Sequence, residues 1–323
     1  MSNILITGAA GFIGHNVVKN LEHLHTITAI DNFTDYGFLP KAECEYLFAN
    51  RLARITTRVE EMDISDRDMI SGMFQFSRPD VVIHLASFPR QKVVNANPQL
   101  GAKVMVEGLM NLLEAAEASK VKRFVYISSS MVYGDFEHDV TEDSECNPIG
   151  QYGIMKYMGE KLVQDYARRT GMEYVIIRPS AVYGEWDVED RVVSKFMLGA
   201  MKGDTLKVKG AGEVLDFTYV EDAAQGICLA ATVEQAANQI YNITRSDPDL
   251  YTLKDAAELA IEIAGSGSYE IMDKDADFPS RGRLDITKAQ QELGYVPKVN
   301  VPQGFELYHK WFTDSYYWQD KIK

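Results

Sequence analysis

The chain is predicted to be an α/β protein: a doubly wound parallel (Rossmann) sheet with a smaller mixed α/β substrate lobe. Three observations predict it. Short apolar runs alternate with helical patterns from the amino terminus to Pro179, the rhythm of strands joined by right-handed helical crossovers. Gly8, Gly11 and Gly14 stand between the first apolar run, Ile4 to Thr7, and the first helical pattern, through Phe12, Ile13, Val17, Val18 and Leu21. Asp31 closes the next apolar run, Ile27 to Ile30, seventeen residues after Gly14.

A strand that turns through glycines into a helix leaves backbone N–H groups and the positive helix end directed at one point, which suits a phosphate. Gly8, Gly11, Phe12, Ile13 and Gly14 are therefore candidate cofactor residues. A carboxylate at Asp31 would accept hydrogen bonds from ribose hydroxyls and repel a 2′-phosphate, favouring NAD over NADP. The same residues would also serve an ordinary tight turn followed by an exposed acid. The register of strand, turn, helix, strand and acid favours the dinucleotide reading.

The remaining elements follow in order. A polar, aromatic insertion from Phe33 to Arg51 is expected to hold a helical turn over the cofactor, with Leu47, Leu52 and Ile55. Arg54 to Val59 reads as a strand, and Ser65 and Asp66 as caps of a helix reaching Phe76. Val81 to His84 is a buried strand, Pro98 to Ser119 a helix, and Arg123 to Ser128 a strand entering a serine run. A helix from about Gln151 to Thr170 and a strand from Tyr174 to Pro179 complete the alternation. Helical patterns at 191–202, 221–232, 252–264 and 301–313 then belong to a different rhythm. The expected division is 1–179 for the NAD-binding part, with 216–243 returning to it, and 180–215 with 244–323 for the substrate lobe.

Bulk properties exclude several function classes. The 33 basic and 47 acidic residues give a net charge of −14, unlike a nucleic-acid binder or a protein for anionic membranes. No apolar run reaches the roughly 18 residues of a membrane span. Three separated cysteines, Cys44, Cys146 and Cys228, suit a reducing, cytoplasmic setting without a disulfide framework. His23 and His25 are expected at a helix end on the surface, and no metal site is expected.

Tyr152 and Lys156 lie four residues apart at the start of a helix, on one face. An ammonium beside a phenol favours phenolate, and a serine hydroxyl from Ser128-Ser-Ser130 could hold a substrate oxygen beside it. Together they make a base for an alcohol that gives hydride to a nicotinamide. The spacing recurs at Tyr157–Lys161 and Tyr317–Lys321. Tyr157 is turned by about 140° from Tyr152 around the helix, so the two cannot share a site. Tyr317 lies in a polar tail, and Tyr152 is preferred for its place nearest the strand ends.

These motifs resemble the extended short-chain dehydrogenase/reductases, in particular the NAD-dependent epimerase/dehydratase group acting on nucleotide sugars. The resemblance spans nearly the whole chain. It rests on Thr7 to Gly14, Asp31-Asn32, Asp63-Ile64, His84 to Ser87, Ser128 to Gly134, Tyr152 with Lys156, and Arg178 to Gly184. Further on it rests on Phe217 to Asp222 and Lys288 to Pro297. It implies that Asn32 belongs to the cofactor site, that Asp63 and Ile64 flank the adenine, that Leu85, Ala86 and Ser87 line the dinucleotide path, and that Pro179 lies near the nicotinamide. It also implies Ser129 as the catalytic hydroxyl beside Tyr152 and Lys156.

The group's dehydratases carry an acid pair where this chain has Ser130 and Met131, so dehydration is not expected. Three positions depart from the group's pattern. Its helix asparagine falls on Met105, its asparagine in the Arg-Pro strand on Ala181, and a phosphate-binding arginine on Leu215. Arg90, Arg191, Lys195 and Arg281 are candidate replacements, Arg281 foremost, although each could equally be a solvated cation. The resemblance implies a homodimer through helices 98–119 and 151–170. It implies an epimerase of a nucleotide-activated sugar, inverting C4 through a keto sugar. A net dehydrogenase or reductase of a secondary alcohol is the alternative, and a non-catalytic NAD-binding protein a further one.

Overall fold

The computed structural model describes residues 1–323 apart from 36, 138, 276, 277 and 323. In chain order the first half runs β1 (Asn3–Thr7), α1 (Gly14–Leu21), β2 (Thr26–Asp31), α2 (Lys41–Leu52), β3 (Val59–Glu61), α3 (Arg67–Ser77) and β4 (Val81–His84). It continues with α4 (Gln91–Ala96), α5 (Pro98–Ala102), a π-helical turn (Lys103–Glu107), α6 (Gly108–Ala118), β5 (Arg123–Ile127), α7 (Gly150–Thr170) and β6 (Glu173–Pro179). The second half holds β7 (Val182–Tyr183), α8 (Val192–Lys202), β8 (Thr205–Lys209), β9 (Val214–Leu215), β10 (Thr218–Tyr219) and α9 (Val220–Thr232). It ends with β11 (Gln239–Ile243), β12 (Tyr251–Thr252), α10 (Leu253–Ala264), β13 (Ser268–Met272), α11 (Thr287–Leu293), α12 (Val301–Asp314) and α13 (Tyr316–Ile322).

Seven strands form one parallel sheet in the order β11-β6-β5-β4-β1-β2-β3. The order reverses between β1 and β4, which opens a crevice at the carboxyl ends of those strands. Alternation along the strands sorts the core. Ile4 and Ile6 face Val17, Val18 and Ile227 on one side, whereas Leu5 joins Phe74, Leu112, Phe124 and Val163 on the other. The strands are apolar on both faces because helices cover both.

A third core, built on Phe196, Phe217, Phe305, Tyr308, Phe312 and Trp318, holds the second-half lobe together. Leu47 of α2 is buried in that core, and Tyr46 packs against it. The insertion after β2 is therefore a twelve-residue helix joined to the lobe, not a lone turn attached to the sheet. Its amphipathic face meets residues more than a hundred positions away, so no local window shows it.

Two further expectations differ. Strand β3 begins only at Val59. Glu22, at the end of α1, takes the N–H groups of Thr56 (2.9 and 3.0 Å) and Thr57 (2.8 Å), which satisfies that backbone in a turn instead of a ladder. The helix expected over 98–119 contains the π turn, where Gly108 donates to the Lys103 carbonyl five residues back.

A buried ion pair ties α7 to β6. Arg178 Nε and Nη2 bond Glu160 at 3.0 and 2.7 Å, and its Nη1 donates to the Tyr133 hydroxyl at 2.9 Å. Removing one partner would leave the other charge buried and uncompensated. Arg178→Met is expected to lower unfolding free energy by about 3–5 kcal/mol, read from urea denaturation.

Two histidines are held neutral by burial. His84 bonds Thr7 Oγ1 at 2.7 Å, and desolvation followed by the Lys156 charge depresses its pKa to about 3. Desolvation and Arg51 depress His15 likewise to about 3. Because the folded value lies below the ordinary 6.5, the unfolded chain takes up the proton first. Stability is then full above pH 6.5 and declines toward pH 3, by up to about 1.4 kcal/mol per pH unit for each histidine. His84→Gln should flatten that decline, as measured by urea midpoints at pH 7 and pH 5.

Candidate active site

The crevice between the sheet and the lobe is a cavity of about 1020 Å³. At one end it is formed by the turn from β1 into α1. Gly8 has φ +72°, and a Cβ there would stand 2.6 Å from Ala86 N. A Cβ on Gly14 would stand 2.0 Å from the Gly8 carbonyl oxygen. The turn therefore closes only with glycine at both places. Gly11 supports it by donating to the Gly8 carbonyl at 3.1 Å.

The N–H groups of Phe12, Ile13 and Gly14 have no acceptor among the described residues, and all three residues line the cavity. Three such donors at a helix start form a cradle for a phosphate. Asp31 lines the same wall, accepting from Ala10 N at 3.0 Å and Phe33 N at 2.8 Å. Burial pushes its carboxyl up, against those two bonds and Arg51. This donor set and this placed carboxylate fit the diphosphate and ribose of a dinucleotide.

The other cofactor candidates fall around this cradle. Leu85, Ala86 and Ser87 follow β4 along the wall, and Ala86 N donates to Thr7 Oγ1 at 3.2 Å. Ile64 and Asn32 also line it, as does Pro179 at the end of β6. The half-buried Asp63 carboxylate accepts from Asn32 Nδ2 at 3.1 Å and Ser65 N at 2.8 Å. Helix α2 supplies the helical element expected over the cofactor, with Cys44, Leu47, Phe48 and Arg51 on the cavity wall. The Phe48 ring meets Phe33 edge-on at 5.5 Å.

Ser129, Tyr152 and Lys156 all line the cavity. Ser129 accepts from Met131 N at 3.2 Å, capping the short 3-10 turn Ser130–Tyr133, and its hydroxyl is one of the groups that favour the ionised Tyr152 phenol. Tyr152 stands in the first turn of α7. Tyr157 is carried to the opposite side, packed with Val132, Tyr133 and Leu284 under the Lys161 ammonium at 4.8 Å. Tyr317 stacks on Tyr46 in the lobe at 4.5 Å.

The electrostatics differ from the sequence expectation. Lys156 Nζ donates to the Ile127 carbonyl at 2.7 Å and lies 5.8 Å from the Tyr152 ring. Burial depresses its pKa to about 7, with Glu160 opposing. The Tyr152 phenol is pushed up by burial, and the groups that oppose this are Arg191 and Ser129.

Ser130, Met131, Ala181, Arg90, Arg191 and Arg281 all line the substrate end. Ser130 donates to Ser180 Oγ at 3.2 Å, and Met131 is buried. Ala181 has φ +37°, a region that alanine adopts at a cost and asparagine more readily. Met105, by contrast, sits in the core beneath α6.

The cations divide clearly. Arg90 is committed to Asp190, with Nη1 on its carbonyl at 2.5 Å and Nη2 on its carboxylate at 3.0 Å. Lys195 is paired with the same carboxylate at 2.5 Å. Arg191 Nε lies 3.7 Å from Asp187 and has no hydrogen-bond partner among the described residues. Arg281 is likewise without a hydrogen bond there, and burial lowers its pKa to about 10 against the attraction of Glu213. A half-buried guanidinium with free donors in a cavity can receive an anion.

Among the described residues no cluster of His, Cys, Asp and Glu is placed for a metal ion, and no helix is long and apolar enough to cross a membrane.

If Asp31 reads the ribose, Asp31→Ser should weaken NADH binding about tenfold and strengthen NADPH binding, since a charged acceptor is lost and a repulsion removed. Fluorescence titration with both dinucleotides measures the ratio.

Comparison with known proteins places this architecture in context. The profile of the NAD dependent epimerase/dehydratase family matches residues 4–244. A Methanocaldococcus jannaschii protein, provisionally named a UDP-glucose 4-epimerase, is 31% identical over 97% of this chain and 99% of its own. The crystal structure of a Thermotoga maritima UDP-glucose 4-epimerase with UDP-glucose superposes with a TM-score of 0.85 at 30% identity, covering 96% of this chain and 98% of that one. A Bacillus cereus UDP-glucuronic acid 4-epimerase, in complex with UDP-glucuronic acid and NAD, gives a TM-score of 0.86 at 27% identity, covering 95% and 98%.

Proposed function

This chain belongs to the NAD dependent epimerase/dehydratase family, and we propose that it epimerises a nucleotide-activated sugar, at C4, with NAD as a resident cofactor. The observation that carries the reading is the Tyr152 phenol, with Ser129 and Lys156, in the same cavity as three free N–H donors at the start of α1. Accepting hydride from the sugar carbon and returning it is the chemistry NAD supplies when bound.

The chain's own residues do the rest. Tyr152 takes the proton of the sugar hydroxyl as the carbon is oxidised, and later returns it. Ser129 holds that oxygen beside the phenol. Lys156, anchored on the Ile127 carbonyl at 2.7 Å, positions the ring and faces the cofactor side. The substrate end is lined by small side chains, Ser87, Ser129, Ser130, Ser180 and Ala181, which leave room for a keto sugar to turn over. Ser130 and Met131 supply neither acid nor base at neutral pH, which argues against dehydration.

Arg281 is the group we assign to the diphosphate, in place of the side chains missing at Ala181 and Leu215. A charge-assisted bond of that kind contributes about 1.5–3 kcal/mol. The working division is 1–179 with 216–243 for the dinucleotide, and 180–215 with 244–323 for the sugar nucleotide. Exposed Met110 (40%) on α6 and Ile154 (51%) and Met158 (39%) on α7 support a homodimer across those helices.

The test uses UDP-glucose and UDP-glucuronate with added NAD, following the product sugar by NMR and absorbance at 340 nm. Epimer formation without net NADH is expected, and Tyr152→Phe should lower kcat by about 10²- to 10⁴-fold with little change in KM. Net NADH accumulation would instead make the protein a dehydrogenase. Undiminished turnover in the Phe variant would remove the phenol from the mechanism.

A further inference from the structure

Arg51, in the last turn of α2, is 5% exposed and makes no hydrogen bond to a carboxylate among the described residues. Its Nε and Nη2 donate to the Trp186 carbonyl at 3.1 and 2.6 Å, and its Nη1 donates to the Ala10 carbonyl at 3.3 Å. A guanidinium is the side chain suited to this, because its planar fork serves two acceptors at once while a lysine serves as a point charge. The two carbonyls belong to different parts of the chain, one to the turn between β1 and α1 and the other to the loop between β7 and α8.

On one side, Ala10 lies inside the phosphate cradle, and its N–H donates to Asp31 at 3.0 Å. On the other, Trp186 has φ +71° and opens the loop 184–191 that carries Asp187 and Arg191. The Trp186 ring is anchored in the lobe, edge-on to Trp311 at 5.3 Å. Asp187 is 1% exposed, its Oδ1 accepts from Val188 N at 2.8 Å, and its Oδ2 has no partner among the described residues. Arg51 and Arg191 are cations whose charge bears on it. Charges of alternating sign thus run from Asp31 through Arg51 and Asp187 to Arg191, whose field reaches the Tyr152 phenol.

We propose that Arg51 is a positioning residue that couples occupancy of the dinucleotide cradle to the order of the substrate-side loop 184–191. A diphosphate on the loop N–H groups and a ribose on Asp31 immobilise both peptide groups of Ala10. Arg51 then holds a fixed acceptor on that side, and its two bonds to Trp186 hold the loop, with Asp187 and Arg191 set for the sugar. Ordering by the first ligand lowers the entropy the second must lose, which is positive coupling without a large movement. The inference rests on the NAD reading of the cradle and not on the sugar chemistry.

The experiment is amide hydrogen exchange on the full chain, stripped of dinucleotide, with and without NAD as the only probe. In the wild type, NAD should slow exchange at 11–14 and also slow it at 186–191 by about fivefold or more, the lower range of common coupling factors. In Arg51→Met the cradle should keep its response while the effect at 186–191 falls below about twofold. Arg51→Lys, which keeps the charge and loses the fork, should be intermediate, and it carries the test if the Met variant does not fold. A purely structural role would speed exchange in both states and leave the ratio unchanged.

A wild-type loop indifferent to NAD while the cradle responds would overturn the proposal, as would full loop protection in either variant. No response at the cradle itself would instead overturn the NAD reading on which the proposal rests, whereas failure of epimerisation in the turnover assay would leave the coupling standing.

Discussion

The structure depends on one close approach, that of the Gly14 backbone to the carbonyl of Gly8. A methyl group on Gly14 would sit 2.0 Å from that oxygen, inside any tolerable contact. Because nothing occupies that space, β1 can turn into α1 within a few residues, and α1 can pack against the sheet while its first N–H groups stay free. The β1–β4 reversal of strand order places that turn at the mouth of the crevice. Cofactor cradle, reactive phenol and substrate wall then converge, since β4, β5 and β6 all end at the same edge.

Around that edge the chain concentrates cations that the protein itself leaves partly unanswered. A molecule of net charge −14 sets the buried Lys156 and Arg51 and the half-buried Arg281 on one cavity. Burial depresses all three, Lys156 to about 7 and the two arginines to about 10. Such desolvation is unfavourable to folding unless something compensates. Here backbone carbonyls compensate Lys156 and Arg51, while Arg281 has only the field of Glu213. An anionic nucleotide ligand is the natural partner for the remainder. The stable part of the site is built differently: the Arg178–Glu160 pair is fully bonded and serves to fix β6 and α7 beneath the phenol.

Reading the residues in order was sufficient where function and local geometry share one cause. The glycine spacing, Asp31 at a strand end and Tyr152 in the first turn of a helix are such cases. Each role follows from a few neighbouring residues, and the structure brings them to one wall. The strand expected at 54–59 shows where this fails. Its backbone bonds went to Glu22, more than thirty residues away.

The sequence by itself determined the fold class, the glycine turn, which of three spaced tyrosines enters the cavity, and the family. These rest on spacings of a few residues, and backbone sterics and helical periodicity act over that range. Only the tertiary structure decided that α2 packs with the lobe, that Arg90 and Lys195 are consumed by Asp190 while Arg191 and Arg281 stay open, and that Arg51 bridges the glycine turn and the loop 184–191. A cation's role depends on which acids and carbonyls come within a few ångströms of it. Chain segments far apart in sequence supply those groups, and only the folded packing sets their distances.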